Sequence, residues 1–451
     1  MASPPQGPSA ALARFAATVQ WEQLPAVVRK EAKRSLLNFF ATALAGCRDP
    51  ALMAAADVFA GFQSARDCTV IGRPDRSDAL HAASLNAMSG NVFDFDDTHL
   101  PTIIHPTAPV APALFALAQT RQVSGRDLLT AFAIGVEIEC RLGNALSPGH
   151  YQRGWHITST CGVFGAAVAA ARLLRLDEGR IVWALGIASA QSSGLVETLG
   201  SMAKSIGVGN SASNGLLSAL LAARGFEGPA RPIEGPLGFL KVMGDHADAE
   251  SLVQGLGERW ELLNNTYKPY PCGVVLNPVI EACLALYRES GVRLEDVEQV
   301  VLTGHPLLRQ RTDRPQPGAG REAQVSAQHA VAVVLARGKA GLDEFSDACV
   351  AQGDLKKLSG RISFVDDENC GVESASVALH LRDGSRHSRH VVAARGSLAA
   401  PLTDAELEHK LRELCTWGGS GCDAGPLIDA LWSIDATDNA GSVMPLAAGR
   451  L

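Results

Sequence analysis

The spacing of apolar positions over residues 1–265 is typical of helices that pack on several sides. In the segment VVRKEAKRSLLNFFATALAG, Leu36, Phe40 and Ala43 fall on one face of a helix. The stretches GVFGAAVAAARLLRLD and NGLLSALLAARGFEGP are rich in Ala and Leu, which predicts helices buried on more than one side. Loops between helices are predicted at Gly125-Arg126 and Asp177-Glu178.

The pattern becomes mixed after about Tyr267. NPVIEACLALYRESG and SAQHAVAVVLARGK predict helices, VEQVVLTGHPLL predicts a strand, and RPQPGAGRE predicts a loop. RISFVDDE, SASVALHLRD and RHSRHVVAAR also predict strands, and Asp383-Gly384-Ser385 joins the last two as a hairpin. LTDAELEHKLRELC then predicts a helix with Thr403 or Asp404 as its N-cap.

These elements predict a mainly α protein with an α+β part. We expect a large all-helical domain over residues 1–265, to which residues 400–451 return. The smaller α+β domain would then occupy residues 266–399.

Composition and charge argue against some classes of binding partner and indicate the cellular compartment. The 451 residues are 47% hydrophobic and 19% charged, which describes a globular protein with a large core. The formal net charge of −7 argues against nucleic acid or an anionic membrane as the main partner. There is no signal-peptide pattern, no run of about 18 apolar residues and no C-x-x-C pair among the ten cysteines, so we expect a cytoplasmic protein with reduced thiols.

The densest chemistry in the chain lies in the segment GNVFDFDDTHLPTIIHPTAP. Three carboxylates, a hydroxyl and imidazoles beside core-forming sequence are costly unless they face a cleft or satisfy each other. If residues 90–99 are helical, Asp94 and Thr98 share a face with Asp97 beside them. We expect His105 near the start of the next helix, with three prolines in its N-terminal entry: Pro106, Pro109 and Pro112. A solvated acidic patch is the alternative.

Three further residues stand in contexts that suit anion binding or proton transfer. His156 precedes a small-residue helix, where it is either a general acid or a structural residue. Lys204 is an isolated basic residue, and we expect a loop through Gly207 and Gly209 before the next helix. Lys268 lies in the stiff stretch NTYKPYPC at the predicted domain boundary, a favoured place for ligand clefts.

Motifs for nucleotide, zinc and serine-hydrolase chemistry are not found. The chain has no Walker A loop, no H-E-x-x-H and no G-x-S-x-G, and its one loose dinucleotide pattern lacks a preceding strand. The aspartate cluster could bind a divalent metal, but Lys204 and Lys268 would compete with one. We therefore expect neither a metal nor an organic cofactor.

Together these stretches resemble the MmgE/PrpD family. The resemblance covers nearly the whole chain and rests on GNVFDFDDTH with HPT, GWHITSTCGVFGAA, AKSIGVGNSASNG, YKPYPCG and SAQHAVAVVL. It implies a helical domain with an α+β lid, usually dimeric. Residue by residue it implies a site of Asp94, Thr98, His105, His156, Lys204 and Lys268.

Two departures from the family pattern affect the expected activity. His329 stands where many members carry a tyrosine, so we keep it as a candidate catalytic residue. HPTAP replaces the HPSDN that follows the Asp-Thr motif in 2-methylcitrate dehydratases, which favours the decarboxylase and epimerase branches.

The expected activity is that of a cofactor-independent lyase, of dehydratase or decarboxylase type, which removes a proton or CO2 beside a carboxylate of a small di- or tricarboxylic acid. The lysines would pair with substrate carboxylates, and His105 or His156 would move the proton. Asp94 would orient a histidine or hold a lysine, and Thr98 would donate a hydrogen bond. An epimerase or racemase of a small dicarboxylate, and a non-catalytic carboxylate-binding dimer, stay open as alternatives.

Overall fold

A computed structural model describes residues 7–62, 65–245 and 247–450. The chain has two compact units. The first comprises the chain up to Val92, Asp96–Asn265 and the chain from Asp404 onward. The second comprises Phe93–Phe95 and Thr266–Thr403.

The first unit is built from helices with three very short strands. Its helices before the insert are α1 (Pro8–Thr18), α2 (Ala26–Gly46), α3 (Pro50–Ala60), α4 (Ala79–Asn91), α5 (Thr107–Thr120), α6 (Gly125–Leu146), α7 (Gly149–Gln152), α8 (Ile157–Leu173), α9 (Glu178–Ser189), α10 (Ala203–Ala223) and α11 (Phe239–Met243). The strands are β1 (Cys68–Thr69), β2 (Arg76–Ser77) and β3 (Asp97–His99), while β4 (Asn265–Tyr267) leads into the second unit.

The second unit is a four-stranded sheet with helices. Its helices are α12 (Asn277–Ser290), α13 (Pro306–Thr312), α14 (Gly320–Ala323), α15 (Ala327–Arg337) and α16 (Asp347–Val350). Its strands are β5 (Val297–Gly304), β6 (Ile362–Asp366), β7 (Ala375–Leu381) and β8 (Arg386–Val391), in the order β6-β5-β7-β8. The β5–β6 pair is parallel and the other two pairs are antiparallel. Two helices then follow in the first unit, α17 (Asp404–Gly418) and α18 (Ala424–Trp432).

Helix α8 is the centre of the first unit. All its residues from Ile157 to Ala171 are buried, and it packs against α6 and α10. Small residues allow this close approach: a Cβ added to Gly215 of α10 would lie 2.4 Å from the Cβ of Ala166. Helix α2 packs in turn against α4 and α17, so the returning chain end completes the helical core. None of the described helices is long and apolar enough to cross a membrane.

Several predictions of local structure were wrong. Gly207 and Gly209 do not form a loop but lie inside α10. A Cβ at Gly209 would meet Ser84 Oγ at 2.6 Å, so these glycines serve helix packing and not a turn. Gly125-Arg126 is the first turn of α6, which Ser124 caps, and Pro112 lies inside α5 instead of in its entry.

Residues 90–99 are not one helix. Helix α4 ends at Asn91, Asp94 has a left-handed backbone with a φ of 51°, and Asp97 begins a strand. Buried aspartates must find hydrogen-bond partners, and short polar side chains compete with helical hydrogen bonding. Here the partners lie elsewhere in the chain, so satisfying them overrides the helical spacing.

Candidate active site

Asp97 anchors the acidic segment inside the first unit. Its Oδ2 accepts hydrogen bonds from Thr107 Oγ1 and from Asn265 Nδ2, the latter at 2.6 Å. The side chain is fully buried. Burial, followed by the negative charge of Asp96, raises the pKa of Asp97 to about 6. The two hydrogen bonds to Asp97 hold the first residue of β3 in place.

His105 is held through one of its ring nitrogens. Nδ1 lies 2.8 Å from the backbone oxygen of Asp97 and 3.1 Å from Asp96 Oδ1. Because a carbonyl oxygen can only accept, Nδ1 must carry a proton, and proton exchange falls to Nε2. Asn91 Nδ2 donates to Asp96 Oδ2 at 2.6 Å and so fixes the carboxylate that faces the imidazole.

Thr98 and His99 complete β3, and both are buried. His99 is bonded at both nitrogens, to Thr102 Oγ1 at 2.7 Å and to Glu261 Oε2 at 3.1 Å. Although burial acts to raise it, the hydrogen bonds from His99 and Asn264 lower the pKa of Glu261 to about 2. His99 is therefore a structural residue held at both ring nitrogens, and Thr98 lies between the anchored Asp97 and His99.

His156 and Lys204 occupy the starts of two helices that pack together. His156 immediately precedes α8, and its Nδ1 is 2.7 Å from Ser159 Oγ. Lys204 is the second residue of α10 and is buried. A Cβ on Gly207 would lie 2.9 Å from Ser159 Oγ, so the first turns of α8 and α10 are in close approach. The structure thus brings a histidine and a lysine to adjacent helix N-termini, where the helix dipoles favour anions.

Lys268 and Asp94 form a pair within the second unit. Lys268 Nζ lies 3.2 Å from Asp94 Oδ1 and 3.0 Å from the Asp94 backbone oxygen. The lysine side chain is 2% exposed and that of Asp94 15%. Lys268 therefore holds the left-handed residue Asp94 from both backbone and side chain. This contact is of the kind expected if Asp94 holds a lysine.

His329 is bonded to a different segment of the second unit. It lies in α15, where Ser326 caps the helix, and its Nε2 is 2.7 Å from the backbone oxygen of Glu344. Its ring packs edge-on against Phe345. Burial lowers the pKa of His329. These contacts are those of a neutral histidine held by its surroundings.

The sequence did not single out the residues that hold the candidates in place. Asp96 was visible only as a member of the acidic cluster, and nothing in the spacing separated it from Asp94. Ser159 and Asn265 lie within the stretches GWHITSTCGVFGAA and NTYKPYPC, but neither was a candidate. Ser159 contacts His156 three residues earlier, whereas Asn265 contacts Asp97, which is distant in sequence. Thr158 is similar: its Oγ1 accepts the backbone N–H of His105 at 3.1 Å.

Metal binding in the first unit would have to use Asp96 and His105. Both are ligand types for divalent cations. The proton on His105 Nδ1, however, prevents ligation through the nitrogen that faces Asp96, and Asp96 already accepts from Asn91. The arrangement therefore fits a carboxylate-oriented histidine better than a metal centre.

The chain belongs to the MmgE/PrpD family. The model of the MmgE/PrpD N-terminal domain matches residues 10–252, and that of the C-terminal domain matches residues 270–432. The family predicted from the sequence motifs is thus confirmed.

Curated relatives match the sequence of this chain along most of their length. The cis-aconitate decarboxylase of Aspergillus terreus is 28% identical over 442 residues, covering 90% of this chain and 89% of the relative. The human cis-aconitate decarboxylase is 25% identical, covering 85% of this chain and 83% of its own. The cis-aconitate decarboxylase-like protein oryM of Aspergillus oryzae is 26% identical over 481 residues, covering all of this chain and 99% of its own.

Proposed function

We propose that this protein is a lyase that removes CO2 or a proton beside a carboxylate of a small di- or tricarboxylic acid. Decarboxylation of cis-aconitate is the first reaction to test, because the similar relatives carry that name. The observation that carries the proposal is the buried His105, whose Nδ1 is bonded to Asp97 and faces the carboxylate of Asp96. A histidine oriented in this way is equipped to exchange a proton through Nε2.

The charge of the proposed substrate matches the two buried lysines. Lys204 lies in the first turn of α10, where a cation is unfavourable beside the positive end of the helix dipole. An anionic group bound there would offset that cost. Lys268 is fixed by Asp94, so its position is set before any ligand binds. Each lysine, within its own unit, is a buried cation that suits a carboxylate group.

The proposed reaction needs one bond to break and one proton to be delivered. The carbon–carbon bond to the departing carboxylate breaks, CO2 leaves, and the electron pair stays on the substrate as an enolate-like carbanion. The lysines stabilise the developing negative charge. The imidazolium form of His105 then gives the proton on Nε2 to carbon and is reprotonated from solvent. Asp96, 3.1 Å from Nδ1, stabilises that imidazolium.

Epimerisation is the second candidate because the first unit holds two buried histidines close to one helix start. Thr158, which accepts the backbone N–H of His105, lies two residues after His156. Two opposed bases acting on one carbon would exchange a stereocentre with no loss of CO2 or water.

Product analysis in deuterated water distinguishes these reactions. We expect cis-aconitate to lose CO2 and the product to carry one deuterium at the carbon that is protonated, as seen by NMR. Deuterium at a stereocentre with every other atom retained would indicate an epimerase, and gain or loss of water a hydratase or dehydratase. No change in cis-aconitate or in related di- and tricarboxylic acids would contradict the proposal. The His105→Gln protein serves as the matched control.

We expect activity to survive prolonged treatment with EDTA. The physical reason is that the His105 nitrogen facing Asp96 carries a proton, and that the nearby aspartates are already bonded within their own units. Turnover is measured before and after dialysis against the chelator, with a parallel dialysis in plain buffer. Loss of turnover that Mg²⁺, Mn²⁺ or Fe²⁺ restores would show instead that the aspartate cluster holds a metal.

A further inference from the structure

Glu139 is a buried carboxyl group with no hydrogen-bond partner at either oxygen among the described residues. It lies on α6 and has no exposed surface. Glu137, two residues earlier on the same helix, is different. Arg141 Nε donates to its Oε1 at 2.5 Å, and the backbone N–H of Glu261 donates to its Oε2 at 2.6 Å. A buried glutamate on α6 can therefore accept hydrogen bonds from neighbouring donors, yet neither oxygen of Glu139 accepts one among the described residues.

Two glycines on α8 make room for the Glu139 carboxyl group. A Cβ on Gly165 would lie 2.6 Å from Glu139 Oε2, and one on Gly162 would lie 3.4 Å from the same atom. Any larger residue at position 165 would displace the carboxyl group. The space is therefore fitted to an acid side chain in the interior of the helical core, where an uncompensated negative charge would be very costly.

Glu139 lies close to the helix whose first residue binds Asp97. The Cβ position of Gly162 lies 3.4 Å from Glu139 Oε2 and 2.6 Å from Pro109 Cγ, and Thr107, two residues before Pro109 on α5, donates to Asp97 Oδ2. Burial, and then the negative charge of Asp97, raise the pKa of Glu139 well above its ordinary value. Glu139 is therefore a neutral carboxylic acid with an O–H group that can donate.

Asp97 has one buried carboxylate oxygen that could accept a hydrogen bond from Glu139. Thr107 and Asn265 both donate to its Oδ2, whereas its Oδ1 has no hydrogen-bond partner among the described residues. A buried carboxylate oxygen without a donor costs free energy that a neutral acid nearby can recover. The same Asp97 presents its backbone oxygen to His105 Nδ1.

We propose that Glu139 is a positioning residue: it shares a proton with Asp97, directly or through one buried water, so that the pair carries a single negative charge beside His105. Among the described residues of this unit, the charged groups that face His105 then include Asp96 and the Asp97–Glu139 pair. The pair supports the imidazolium form of His105 without adding a second buried charge. Its effect on turnover rests on the function proposed above, while the shared proton does not.

Infrared spectroscopy tests the shared proton without any assay of activity. In deuterated buffer at neutral pH, the difference between wild type and Glu139→Gln should show loss of the carbonyl band of a protonated carboxylic acid. Glu258→Gln, which removes an exposed carboxylate, is the control and should show loss of carboxylate bands only. Loss of carboxylate bands alone in Glu139→Gln would overturn the proposal.

The link to His105 is tested by titrating its ring with NMR in protein labelled at histidine Cε1, with His105→Gln used for assignment. Glu139→Gln keeps a neutral donor, so the titration midpoint should stay within a few tenths of a pH unit. Glu139→Leu removes the donor, Asp97 takes up a proton more readily, and the midpoint should move to lower pH by about one unit. An unmoved midpoint in folded Glu139→Leu would overturn the positioning role.

Kinetics provide the second readout on the same variants. Glu139→Gln should keep kcat/KM within about threefold, and Glu139→Leu should lower kcat by about tenfold with the pH profile displaced in the same direction as the NMR midpoint. If the wild-type protein turns over no substrate, the proposed function falls, and the infrared and NMR results still decide the inference. If Glu139→Leu does not fold, Glu139→Met is measured in its place.

Discussion

Replacement of His105 by glutamine lowers kcat and kcat/KM together by about 10² to 10⁴, the range that a general acid–base group contributes. Glutamine keeps much of the size of the side chain and can still donate a hydrogen bond to the Asp97 carbonyl, but it cannot move a proton. The interaction lost is therefore one that matters in the transition state. Steady-state kinetics with the substrate identified in deuterated water would measure it.

Three other histidines provide the comparison. His409→Gln is the control, because His409 is exposed on α17 and pairs only with Glu413 on the same helix, so its loss should leave kcat unchanged. His156→Gln should reduce activity less than His105→Gln, since His156 Nδ1 is bonded to the hydroxyl of Ser159, whereas His105 Nδ1 faces the carboxylate of Asp96. If His329→Gln is inactive while His105→Gln is active, the assignment of the acid–base residue is wrong.

The turn between β7 and β8 could be predicted from the sequence because the contacts that determine it lie within the turn. The hairpin between β7 and β8 was predicted from Asp383-Gly384-Ser385. In the structure, the backbone N–H of Ser385 donates to Asp383 Oδ1, and Gly384 has a φ of 83°. An aspartate side chain that accepts from the backbone two residues later, and a glycine with positive φ, are local features that these residue types favour in turns. The prediction of this hairpin is confirmed.

The close packing of α10 against its neighbouring helices could not be predicted from the sequence in the same way. Two glycines close together lower helix propensity, so Gly207 and Gly209 predicted a loop. In the structure they allow α10 to approach Ser159 of α8 and Ser84 of α4. Whether a glycine breaks a helix or lets another helix come close depends on the partner helix, and a single sequence does not identify that partner.

The acidic cluster shows the same limit at the level of chemistry. Its importance was evident from composition, but the assignment of each aspartate depended on the backbone. The left-handed backbone at Asp94 places its carboxylate against Lys268, and the strand at Asp97 places Asp96 and Asp97 against His105. Helical spacing would have paired Asp94 with Thr98. Glu139, which lacks any motif, could be noticed only from its burial and the absence of a partner among the described residues.

The two lysines differ in what holds them, and this difference decides how their removal should be interpreted. Lys204 is a buried cation at the start of α10, where the helix dipole disfavours it. Lys268 is bonded to Asp94, and breaking a buried pair by removing one partner leaves an uncompensated charge and costs about 3–5 kcal/mol. Folding must therefore be measured beside activity.

Lys204→Ala and Lys268→Ala should each lower kcat/KM by about 100-fold or more, the loss seen when one donor to a developing negative charge is removed. The melting temperature of Lys204→Ala is measured beside its activity, so that loss of substrate binding is separated from loss of the fold. Lys356→Ala, an exposed lysine of the second unit, is the matched control and should have full activity. Full activity in both folded variants would contradict an anionic substrate, whereas loss in Lys268→Ala alone, accompanied by unfolding, would assign that lysine to the fold.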